Sequence, residues 1–311
     1  MAARAGIVRL ALGLVLFAVF GNPALLALPL VLLMAASHPS TRNEILLLTV
    51  CGGFGIWWLL STGPLPDQTL RAASLIGAGA FAIGSFVSRW STTHRSLLAV
   101  ALATVTVAMG YVALKLSWTD TRWLVEHEIS GLLSARIWMT PSGQEVSPVL
   151  TSTMLSQPPL ASVPRIIADY FPAIIALQMI AGFALVNSLY HRVSRKPSGR
   201  PLARLRDFSF NEQLGWAAVI PLVVLLIPKL SAVKLAASNV LLVAGALYAL
   251  RGAAVVSFLM SAAGAGFIVY ALIWVALLFM LPVMVAGAVM LGIVDSGVNL
   301  RNRWAKAAAN R

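Results

Sequence analysis

Arg251 interrupts an apolar stretch, residues 235–262, and no other charged residue stands so far inside such a run. An arginine near the centre of a bilayer costs about 2.5–3.5 kcal/mol on insertion scales, so its position asks for a physical reason. Two readings are open. Either the helix breaks at Gly252 and Arg251 marks an interface with water, or Arg251 faces the interior of a helical bundle and pairs with a carboxylate or an anionic ligand. Asn187 and Asn239 also lie in apolar runs, where a side-chain amide must find hydrogen-bond partners. They read as ties between helices or, together with Arg251, as ligand contacts. Asp295 closes the last apolar run; it is either an N-cap for the tail 296–310 or the acidic partner of a basic loop residue.

Other chemistries find less support. His38, His94, His127 and His191 are far apart and have no metal-ligand spacing. His127-Glu128 starts like a zinc-protease motif, but no second histidine follows where it is needed. Neither a nucleophile elbow, nor a phosphate-cradling glycine loop, nor a dinucleotide fingerprint occurs. Glu126, His127 and Glu128 could do acid or base work, yet adjacent helical residues point in different directions, so a solvated face explains them as well. The expectation is a protein that is not an enzyme and holds no metal or cofactor. Cys51 is the sole cysteine, which excludes a disulfide within the chain.

The elements that must position these residues follow from composition. The chain of 311 residues is 59% hydrophobic and 11% charged, against about 25% charged in soluble domains. That surplus of apolar surface calls for lipid as solvent. The net charge of +13 points to the positive-inside pattern rather than to nucleic acid, because the basic residues cluster in short segments between apolar runs. A hydrocarbon core of about 30 Å needs about 20 helical residues. Residues 7–36 suit one kinked span or two short helices split at Asn22-Pro23; 45–60, 72–88 and 96–114 suit three further spans whose charged neighbours snorkel. Residues 117–165 mix charges with Trp118, Trp123 and Trp138, as in a helix lying flat at an interface and ended by Pro141-Ser142-Gly143. A span over 166–190 comes next. The basic loop 191–213 follows, carrying Arg192, Arg195, Lys196, Arg200, Arg204 and Arg206. Residues 214–228 make a short span or a half-inserted element, and 267–294 a last span. Small residues recur at Ala253, Ser257, Ser261 and Ala265, and at Ala80 and Gly84, a spacing that suits close helix packing.

The second half also carries a set of short motifs. Phe171-Pro172 stands at the start of a span ending in Asn187; Asp207-Phe208-Ser209-Phe210 follows the basic loop. Asn239, the stretch Leu247-Tyr248-Ala249-Leu250-Arg251-Gly252-Ala253-Ala254-Val255, Pro282, Leu291-Gly292-Ile293-Val294-Asp295 and Arg301 complete the set. On these residues the region 166–303 resembles the YybS-like family of bacterial membrane proteins. That family is similar in architecture to the substrate-binding subunits of energy-coupling-factor vitamin transporters, so the resemblance implies a ligand-binding or transport role.

The expected fold is an all-α transmembrane bundle of about seven to nine spanning or half-spanning elements. It forms one membrane domain: N-terminal helices over 1–116, an extracytoplasmic interfacial segment over 117–165, YybS-like helices over 166–294 and a basic cytoplasmic tail over 295–311. The expected location is a bacterial cytoplasmic membrane with loop 191–213 inside. The leading function is a small-molecule-binding or transport subunit with its ligand near Arg251, Asn239 and Asn187. The alternative is a scaffold that docks an acidic partner, another membrane subunit or anionic lipid through its basic loop.

Overall fold

A bilayer offers no water to backbone N–H and C=O groups, so a chain that spans it as one strand-free unit must satisfy them within helices. Among the described residues every regular element is helical. The computed structural model describes residues 2–87, 90–138, 160–264, 266, 269, 272–273, 275–276 and 279–309. They form two compact units, Met1–Pro201 and Leu202–Arg311, which divide inside the basic loop.

The first unit begins with two short helices, α1 (Ala2–Phe20) and α2 (Ala24–Ala36), in place of one kinked span. Between them the Asn22 carboxamide oxygen accepts the Ala24 N–H at 2.9 Å and restarts the helix after the break. Helix α2 is apolar on all sides and correspondingly buried, with Ala24, Leu25, Leu30, Leu33 and Met34 almost inaccessible. Around it pack α3 (Arg42–Leu60), α4 (Leu65–Val87) and, after α5 (Thr92–Ala113), the long α8 (Phe171–Val193). Phe81 of α4 and Phe183 of α8 stack with centroids 4.6 Å apart at the centre of this core. Helix α6 (Trp118–Trp138) buries Thr121 and Val125 and is joined to α7 (Val163–Asp169) by an Arg122–Asp169 ion pair of 2.7 Å. Pro141-Ser142-Gly143, expected to end α6, lies outside the described residues.

In this unit two boundaries differ most from the sequence expectation. The run 166–190 is not one helix, because α7 stops at Asp169 and α8 restarts at Phe171 with Pro172 in its first turn. Proline lacks an N–H and disfavours a helical residue before it. Helix α4 extends back past Arg71, whose guanidinium folds over the Trp58 ring at 5.7 Å, bonds the Ser61 carbonyl and lies 3.9 Å from Asp67. A charge so neutralised does not end the helix.

The second unit holds α9 (Trp216–Leu226), α10 (Lys234–Ala262), α11 (Leu281–Val298) and α12 (Leu300–Ala309), with short 3-10 segments at Leu205–Asp207, Glu212–Gly215 and Pro228–Val233. At 11 residues α9 is about 16 Å long, too short to cross alone. The last apolar run, 267–294, is interrupted at Met280 (φ −124°, ψ 32°): α11 starts at Leu281, with Pro282 in its first turn. Helices α10 and α11 meet backbone to backbone. A Cβ on Gly252 would strike the Ala288 carbonyl, and one on Gly292 the Tyr248 carbonyl. This seam runs along Tyr248, Gly252 and Val255 rather than the small-residue stripe, of which Ala253 and Ser257 are half-buried and Ser261 exposed. Six helices among the described residues are long and apolar enough to cross a membrane, four in the first unit and two in the second. Large apolar side chains such as Val105, Met109 and Val112 stand exposed on α5, as lipid-facing positions do.

Candidate functional site

Helix α10 runs unbroken through Gly252 to Ala262, so Arg251 does not mark a helix end. It is 3% exposed and donates from Nε to Oδ2 of Asp295 at 2.9 Å. Its Nη2 donates to the Asp295 main-chain oxygen at 3.2 Å, and its Nη1 to the Phe210 carbonyl at 3.4 Å and the Ser296 hydroxyl at 3.3 Å. The guanidinium also lies 5.1 Å from the Phe210 ring centroid, a cation–π distance.

Asp295 is not the N-cap of the tail. Helix α11 continues through it to Val298 and ends at Asn299 in the left-handed conformation, φ 51°, which asparagine tolerates better than most residues. Nor does Asp295 pair with a basic loop side chain. Its second partner is Arg301 of α12, whose Nη2 donates to Oδ2 at 2.9 Å and Nε to Oδ1 at 3.5 Å. From Nη1 the same arginine donates to the carbonyls of Arg206 and Phe208, both at 3.0 Å. Two guanidinium groups thus share one carboxylate that is 1% exposed, and their remaining donors hold the backbone of the Asp207-Phe208-Ser209-Phe210 segment. Breaking such a buried pair leaves an uncompensated charge, at a cost of about 3–5 kcal/mol.

Beside this triad lies a cleft of about 340 Å³, within the size range of small-molecule sites. Arg206, Asp207 and Ser209 line it together with Arg251, Asp295 and Arg301 of the triad. Asn299 and Asn302, at the α11–α12 junction, and the ring of Phe258 also line it.

The other expected ligand contacts do not join this cleft. Asn239 is 7% exposed and donates to the Leu235 carbonyl one turn back on α10 at 2.9 Å. Asn187 belongs to the first unit, where its Nδ2 donates to the Thr92 hydroxyl and to the Arg200 carbonyl, both at 3.2 Å. That carbonyl also accepts from Nη2 of Arg95 at 3.1 Å. Arg95, at the start of a span, does not snorkel: it is 2% exposed, 5.8 Å from the Phe81 ring centroid and without a carboxylate partner among the described residues. Gly199, at φ 82°, lets the loop backbone close over it. No sequence signal marked Arg95, since its burial depends on a loop about 100 positions away. Glu44 fastens the same loop: Oε1 accepts the Arg195 N–H at 2.8 Å, while Oε2 accepts those of Ser40 and Thr41 at 2.8 Å in a capping box. The side chains of Arg192, Arg195, Lys196, Arg200, Arg204 and Arg206 themselves are all exposed. On α6, His127 stacks on Trp123 at 5.2 Å, and both His127 and Glu128 face outward.

Helices of this length and apolarity define a multi-pass α-helical membrane protein. The chain belongs to the DUF2232 family of predicted membrane proteins, whose pattern matches residues 6–296. No curated protein and no solved structure matches it.

Proposed function

We propose that this protein is a non-enzymatic membrane subunit that binds a small molecule in the cleft beside the Arg251–Asp295–Arg301 triad. The observation that carries the reading is the cleft itself: about 340 Å³, polar-walled, and built on charged side chains whose geometry is already fixed by one another. The resemblance of residues 166–303 to the YybS-like family, and through it to the substrate-binding subunits of energy-coupling-factor transporters, supports the same role. The charge pattern supports a bacterial cytoplasmic membrane, with loop 191–213 and the cleft on the cytoplasmic side and residues 117–165 outside.

A scaffold role has one observation in its favour. Arg251 and Arg301 spend their donors on the backbone of residues 206–210, which makes that segment a fixed platform carrying exposed Arg204, Leu205 and Arg206. The two readings part on a single experiment. Native mass spectrometry of the purified full-length protein is expected to find a retained small molecule that is lost in Ser209→Phe, a change that fills the cleft. A retained compound that survives this substitution, or none at all in the wild type, removes the binding reading.

A further inference from the structure

Resting on the reading of the cleft as a binding site, we infer that its ligand is an oxyanion, a phosphate group carried either by a soluble ester or by a lipid headgroup. The first argument is charge. Three arginines, Arg206, Arg251 and Arg301, border the cleft against two aspartates, Asp207 and Asp295, leaving one positive charge in excess. The same excess sits in the buried part, where Arg251 and Arg301 face the single carboxylate of Asp295. A buried cation in excess of its partners is stabilised by an anion brought into the space beside it.

The second argument is which groups remain free. Both oxygens of Asp295 are taken by guanidinium nitrogens, so they are closed to a cationic ligand. Among the described residues the Arg206 side chain is tied only to Asp207, loosely at 3.7 Å, and it is 43% exposed. The side chains of Ser209, Asn299 and Asn302 make no hydrogen bond with another described residue. Every one of these groups can donate. A guanidinium, a hydroxyl and two carboxamides converging on one space suit the several acceptor oxygens of a phosphate. The first turn of α12, which contains Arg301 and Asn302, lines the same space.

Leu202, Leu205 and Trp304 are exposed, and exposed Arg204 and Arg206 flank Leu205 in the chain. That pairing of apolar and basic groups suits a headgroup level, so the source of the phosphate is part of the test. The full-length protein is purified in a neutral detergent. Its unfolding midpoint is followed against inorganic phosphate, with chloride exchanged at constant ionic strength, and separately in nanodiscs of phosphatidylglycerol or of phosphatidylcholine. Asn302→Asp places a carboxylate in the cleft without touching the triad. The expected result is a rise in midpoint with phosphate or with phosphatidylglycerol, and an apparent affinity at least tenfold weaker in Asn302→Asp. A response to phosphate alone assigns a soluble ester, and a response to phosphatidylglycerol alone assigns a lipid. No response to either, or an equal response in Asn302→Asp, overturns the inference. A neutral or cationic compound retained by the wild type and lost in Ser209→Phe overturns the oxyanion while leaving the binding role in place.

Discussion

Replacing Asp295 by asparagine removes one negative charge and almost no volume, so it isolates what the carboxylate does. In the wild type it neutralises two guanidinium groups, with Arg251 4% and Arg301 14% exposed at the side chain and both at 2.9 Å from Oδ2. The substituted carboxamide would keep one acceptor and bring a donor NH₂ towards two cations. Removing one partner of a buried pair costs about 3–5 kcal/mol, and here two cations are left, which places the expected loss near the top of that range. In equilibrium terms this is a change on the order of 10²–10⁴-fold in local opening. Hydrogen exchange resolves it by segment: amides of 245–255 and 288–298 should lose protection by that factor, while those of α2 and α8 in the first unit keep theirs. A companion variant carries R251M, D295L and R301M together. Replacing a whole buried ionic group by apolar side chains is often neutral, so α10 and α11 should regain most of their protection. The segment 206–210, having lost its guanidinium donors, should not. Protection in D295N within threefold of the wild type would refute the reasoning, as would a triple variant no better than D295N.

Gly252→Ala and Gly292→Ala should each destabilise the protein by about 1–3 kcal/mol or more, since the new methyl meets backbone that cannot rotate away. Gly245→Ala and Gly287→Ala, where a Cβ meets nothing within 4 Å, should be neutral or gain up to about 1 kcal/mol from helix propensity; thermal unfolding separates the two pairs. Glu44→Gln replaces an acceptor of three backbone N–H groups by a neutral carboxamide. Hydrogen exchange at Arg195, Ser40 and Thr41 should then quicken while the α8 interior is unchanged, and equal rates at Arg195 would show that Glu44 does not hold the loop.

The sequence was legible wherever one local property decides the outcome. The apolar runs of the first half became helices, the Asn22-Pro23 break separated α1 from α2, and the shortness of 214–228 emerged as an 11-residue helix. Proline chemistry separates two helices at Pro23 and again at Pro172, but only the first break is evident from the run of residues, so α7 and α8 read as one element. Arg251 stood out because a charge in an apolar run is visible without any partner. Its pairing with Asp295, 44 positions away, was not visible, because hydropathy fixes neither which helices pack nor the rotation of each about its axis. The same limit hid Arg95. Gly252 reads in sequence as a possible break; it is a contact point, and a glycine serves either purpose with the same side chain.

The two glycine contacts have a mechanical corollary. Gly252 against Ala288 and Tyr248 against Gly292 are spaced four residues apart on each helix, about 6 Å. Two such bearings, one turn from each other, prevent the helices from rolling or sliding without peptide groups colliding, so α10 and α11 travel as a single lever. Any motion of the pair must therefore be absorbed at its ends, where Leu230 (φ −96°, ψ 29°), Gly264 (φ 63°) and Asn299 (φ 51°) depart from the helix.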